Sequence, residues 1–130
     1  MNETTFLRRT LISDAAVSGT TGLLMLFAAA PLSQLLHIPG DLLRIAGASL
    51  LPFCAFLVWI ITRPSMPRVP VLTVIALNAA WILGSIALLF AEAIDPNRVG
   101  VAFITVQAIA VAVFTEMQYA GLRAQRMSTR

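Results

Sequence analysis

LISDAAVSGTTGLLMLFAAA, residues 11–30, is the stretch that decides the fold. A helix rises ~1.5 Å per residue, so twenty residues cover the roughly 30 Å hydrocarbon core of a bilayer. One charge interrupts the run: Asp14, about a turn and a half beyond the basic pair Arg8 and Arg9. Asp14, Ser18, Thr21 and Gly22 recur at helical spacing and form one stripe, while Leu23, Leu24, Leu26 and Phe27 dominate the outer half. Lipid offers a carboxyl group no partner, so the stripe must face protein, water or the interface. The stretch predicts a membrane-spanning helix with an acid on its inward face.

Three further apolar runs follow. The second span, residues 43–62, opens on Asp41, placed like an N-cap, with Arg44 three residues on and able to pair with it. Pro52, near its middle, removes a backbone bond to residue 48 and predicts a kink. The third, residues 71–90, carries no charge and is interrupted only by Thr73, Asn78, Gly84 and Ser85. The fourth, residues 99–119, takes in Gln107 and Glu116. Between the first two spans, Pro31 and Pro39-Gly40 bound LSQLLHI, too short to cross and suited to an interfacial helix or turn. RPSMPRVP, residues 63–70, is a stiff linker that forces the second and third spans into an antiparallel hairpin. Residues 1–10 read as a short frayed entry. The expected fold is therefore one all-α domain over residues 1–130, an antiparallel four-helix membrane bundle with a kinked second helix.

Composition points the same way. With 58% hydrophobic and 12% charged residues, too little charge is present to clothe a soluble surface. All nine basic residues are arginines, and they sit at span ends rather than on one polar face, which argues against a nucleic-acid partner. Arg8-Arg9, the apolar run and Ala28-Ala29-Ala30 imitate a cleavable signal, yet Pro31 follows where cleavage would fall and Asp14 breaks the apolar part. A retained first helix is expected. A single cysteine, Cys54, excludes an intrachain disulfide. His37 has no soft or imidazole partner at ligand spacing, and no nucleophile–base set, phosphate loop or CxxC is present. No catalytic residue, metal or cofactor is expected, and the reading leans away from an enzyme.

The intramembrane polar residues make the candidate site: Asp14, Ser18, Asn78, Gln107 and Glu116. Asp14 and Glu116 count to a similar depth, where two acids on neighbouring helices could share a proton. The plainer expectation pairs each with Arg8, Arg9 or Arg123 and gives it only a packing role. Asn78 and Gln107 count to comparable heights, which predicts an amide–amide bond or a shared polar cavity. The leading functional expectation is a structural or accessory subunit packing against lipid and against another membrane protein or a second copy of itself. A small proton-coupled transporter or channel using Asp14 and Glu116 is the alternative, and a lipid- or quinone-binding enzyme or helper a third.

LRRTLISDAAVSGTTGLL (7–24), LLRIAGASLLPF (42–53) and VQAIAVAVFTEMQYAGLR (106–123) together resemble a group of small, uncharacterised four-span bacterial membrane proteins. The resemblance implies a bacterial inner membrane and the same four-span topology, and it implies no function.

Orientation follows from the arginines. Arg8, Arg9, Arg63, Arg68, Arg123, Arg126 and Arg130 fall on the side of the termini, and only Arg44 and Arg98 on the other, which places both termini in the cytoplasm. Reporter fusions after Arg130 should therefore read cytoplasm and fusions near Asp95 the far side; a far-side C-terminus would overturn the four-span count.

Overall fold

The structure, a computed structural model, describes residues 3–65, 67–92 and 94–128; residues 1 and 2 of the N-terminal entry, 66 of the linker, and 129 and 130 of the basic tail lie outside them. Five helices account for nearly all of the described chain: α1 (Glu3–Phe27), α2 (Ala29–Leu36), α3 (Gly40–Ile61), α4 (Arg68–Phe90) and α5 (Arg98–Ser128). All but α2 are long and apolar enough to cross a membrane. Large apolar side chains such as Ile12, Leu23, Ile45, Leu83, Val106 and Ile109 stand on the outside, as lipid as solvent requires. The fold is an all-α bundle of four spans, each long helix running opposite to the next.

The element bounds differ from the sequence reading at several places; α4 starts at Arg68, inside the stretch read as linker, and α5 runs on past residue 119 to Ser128. The first span does not fray before residue 11. Leu7 and Leu11, one turn apart, are fully buried with Leu122 of α5, so the helix is held from its beginning. It stops at Phe27 rather than at Pro31, because a proline four residues on can neither donate to the Phe27 carbonyl nor leave it room. Pro31 itself sits in the first turn of α2, where backbone N–H groups have no helical partner to lose. Asp41 is not the cap of α3: the helix begins one residue earlier, and Asp41 lies in its first turn, 3.0 Å from Arg44. There its charge meets the positive end of the helix dipole. The helix runs without interruption through Pro52.

α1 is the central helix. It packs along α3 on one side and α5 on the other, and α4 packs on α5. The order round the bundle is thus α3, α1, α5, α4. The α1–α3 seam is close because it is made of glycines. A Cβ on Gly47 would stand 2.7 Å from the Gly22 carbonyl oxygen and 2.8 Å from the Leu26 nitrogen, and one on Gly22 2.9 Å from the Leu50 Cβ. Small residues at such seams let backbones approach where no hydrophobic force drives them together. Arg8 anchors the same pair by donating to the carbonyls of Ile61, Arg63 and Pro64, which the C-terminus of α3 leaves open.

α3 and α4, joined by the stiff linker, form the antiparallel hairpin that the sequence predicts, but they scarcely pack along their length. Leu57 and Ile60 meet Val71 and Val74 next to the linker. At the other end α2 lies across α3 and α5, around Leu36, Leu43 and Ile104. Between these two packed ends the wall stays open.

The glycine seam gives a direct test. Gly47→Ala should force α1 and α3 apart at a cost of about 1–3 kcal/mol, the usual range for overpacking a close contact. Gly84→Ala, on an exposed face of α4 with nothing within 4 Å, should be neutral or slightly stabilising. Resistance to unfolding in mixed micelles measures both, and equal effects would contradict the seam.

Candidate functional site

α1 sends Asp14 and Ser18 into the bundle one turn apart, so the Ser18 hydroxyl donates to Asp14 Oδ1 at 2.9 Å. α4 contributes Asn78, whose Nδ2 donates to Asp14 Oδ2 at 3.2 Å and to Gln118 Oε1 at 3.1 Å. Gln118, from α5, donates from Nε2 to Asp14 Oδ2 at 2.6 Å. Three helices thus meet in a closed ring of side chains. Both partners of Asn78 Nδ2 are acceptors, and this fixes which end of its amide points where. Asp14 is 2% exposed, Asn78 4% and Gln118 not at all. The three groups that meet the Asp14 carboxyl are all neutral.

A second polar layer lies farther along the bundle. Trp81 Nε1 donates to Gln107 Oε1 at 2.6 Å, while Gln107 Nε2 donates to Ser85 Oγ at 2.9 Å and to the Ile104 carbonyl at 2.9 Å. Ser85 in turn donates to the Trp81 carbonyl. Asn78, Trp81 and Ser85 are spaced three and four residues apart and share one face of α4, so both layers look into the same space.

That space is a cavity of about 1000 Å³, in the wall that α3 and α4 leave open. Asp14, Ser18, Asn78, Trp81 and Gln107 are among its polar lining, with the hydroxyls of Thr21, Ser49 and Thr73, and Phe53, Phe56, Phe103 and Phe114 are among the apolar. Several lining residues, Val17, Leu77 and Val106 among them, are also half exposed on the outer surface, so the cavity opens sideways, towards lipid.

Of the five candidate residues, the structure therefore joins Asp14, Ser18 and Asn78, places Gln107 one layer away, and leaves out Glu116. Glu116 is exposed and bonds to nothing among the described residues. The two acids do not meet. Glu116 stands nine residues from Gln107, half a turn round the helix, and so faces away from the cavity. Arg8 pairs with neither acid, being engaged on backbone carbonyls, and among the described residues Asp14 is met by a hydroxyl and two amides. Asn78 does not bond Gln107, since Gln118 takes that place and Gln107 faces the indole. Gln118 is the residue that the sequence reading missed. Its spacing of eleven residues from Gln107, three helical turns, put both on one stripe, and this was the available signal.

Among the described residues no cluster of histidine, cysteine or acid could hold a metal ion. Among these residues the one hydroxyl beside an acid in the cavity is that of Ser18, on Asp14 Oδ1. The arrangement is an apolar slot with a carboxyl and amides at its inner wall. No family model, curated protein or solved structure matches the chain.

Removing one member should separate the roles. Gln118→Leu takes away the shortest donor to Asp14 and leaves Asn78 with one acceptor fewer, and should cost about 1–3 kcal/mol. Asp14→Asn should cost under ~1 kcal/mol, since the new amide N–H can replace Oδ1 and the Ser18 hydroxyl can turn to accept it. Unfolding titrations of the two variants read the difference, and the reverse order would refute the ring.

Proposed function

We propose that the protein is a membrane-embedded binding protein for an amphiphilic small molecule drawn from the bilayer. One observation carries the reading: the cavity in the α3–α4 wall, apolar along its length and polar where Asp14, Ser18, Asn78 and Gln107 meet it. Its volume of about 1000 Å³ stands at the upper end of ligand sites, which run to roughly 1,000 Å³. The lateral opening suits a ligand that partitions into lipid and enters without crossing water.

This reading belongs with the lipid- or quinone-binding helper rather than with a purely structural subunit. Packing alone favours closing α3 onto α4, because a gap forfeits dispersion contacts on both walls. Nor does the site support proton exchange between Asp14 and Glu116, as the second acid lies outside it.

Mass spectrometry of protein extracted with its surrounding lipid in native nanodiscs tests the proposal. The wild-type chain should carry about one amphiphile per protein that differs from the bulk lipid. Ala110→Trp, which fills the wall of the cavity, should lose it while the bundle stays folded. Identical bulk lipid in both would overturn the reading.

A further inference from the structure

The polar end of the cavity has a chemical sign, and it narrows the ligand. Resting on the binding reading above, we infer that the site takes an amphiphile whose head is a protonated amine.

The donors and acceptors along the lining carry the argument. Among the described residues every lining side-chain donor but the Thr21 hydroxyl is already spent within the protein. The Ser18 hydroxyl is on Asp14, the Ser49 hydroxyl on the Ile45 carbonyl and the Thr73 hydroxyl on the Val69 carbonyl. The Trp81 indole N–H is on Gln107, and the Gln107 amide N–H groups are on Ser85 and Ile104. Acceptors are left over. Asn78 Oδ1 receives no donor among the described residues, although the residue is 96% buried, being 4% exposed, and lines the cavity. Asp14 has three donors, against about four acceptor sites on a carboxylate. A head group arriving here meets unsatisfied oxygen.

Charge points the same way. Neutral groups alone meet the Asp14 carboxyl, and no arginine or histidine is among the lining residues. A phosphate or carboxylate head would find repulsion and no cation. An ammonium brings three N–H donors and a positive charge, which suits one carboxyl oxygen and one amide carbonyl. The walls fit as well: Phe53, Phe56, Trp81, Phe103 and Phe114 all line the cavity, and aromatic faces attract a desolvated cation. An apolar tail takes the remaining length, between the leucines and valines.

A matched series tests this on the purified full-length protein in nanodiscs of uncharged lipid. The probes are 4-phenylbutylammonium, 4-phenylbutanol and 4-phenylbutanoate, which share a tail and differ only at the head. Calorimetric titration should find the ammonium bound at least about tenfold more tightly than the alcohol, the margin between a charge-assisted and a neutral hydrogen bond, and the carboxylate weakest. Asp14→Asn should erase the preference for the ammonium over the alcohol. The wild-type series decides even if that variant fails to fold. Alcohol or carboxylate binding as tightly as the ammonium, and lost in Ala110→Trp, would overturn the amine head and keep the cavity reading. If all three bind equally to the wild type and to Ala110→Trp, or none binds, both fall.

Discussion

A carboxyl group buried in hydrocarbon must be surrounded by donors, and that requirement organises this bundle. Asp14 cannot draw three donors from its own helix. Ser18 supplies one, one turn away, and the others come from Asn78 on α4 and Gln118 on α5. Each amide reaches the carboxyl only at one register and one rotation of its helix. The ring therefore fixes α1, α4 and α5 against one another more narrowly than apolar packing does, since lipid tails satisfy a leucine as well as a neighbouring helix can. The contribution of each bond is modest. The specificity comes from the cost of leaving any member unpaired.

α3 is outside the ring and is held by different physics. Glycines at 22 and 47 bring its backbone against α1, and Arg8 ties its C-terminal carbonyls. A helix fastened on one side by close packing has no reason to close on α4, and the cavity is the consequence. The polar ring and the opening are thus two results of one arrangement. Asp14, Ser18 and Asn78, which tie α4 to α1, also form the inner wall of the space that α3 leaves free, with Gln118 behind them.

Much of this was legible in the chain. Span number and approximate bounds follow from run length against bilayer thickness, and the short helix at residues 29–36 from breakers at both ends. Asp14, Ser18 and Asn78 were recognisable as inward-facing because lipid tolerates them poorly. What depth counting could not give was angle. Glu116 and Gln118 are two residues apart and at nearly the same height, yet one faces out and the other is fully buried. Choosing the acid over the amide followed charge where the helical period was the better guide. The break at Phe27 was misplaced for a related reason: a proline acts on the carbonyl four residues before it, so the helix ends ahead of the proline itself. The open wall was not legible, since it depends on which helices pair, and a short linker fixes only that α3 and α4 are antiparallel.

The central claim is that neutral side chains from three helices, and no arginine, surround the Asp14 carboxyl. Solid-state NMR dipolar recoupling between a ¹³C-labelled aspartate carboxyl and ¹⁵N side chains, in lipid, measures this directly, with Asp14→Asn to assign the signal. Two amide nitrogens, removed separately by Asn78→Leu and Gln118→Leu, should lie within about 4 Å of the carboxyl carbon, as hydrogen-bond geometry requires. A guanidinium nitrogen at that distance, or no nitrogen at all, would contradict the account.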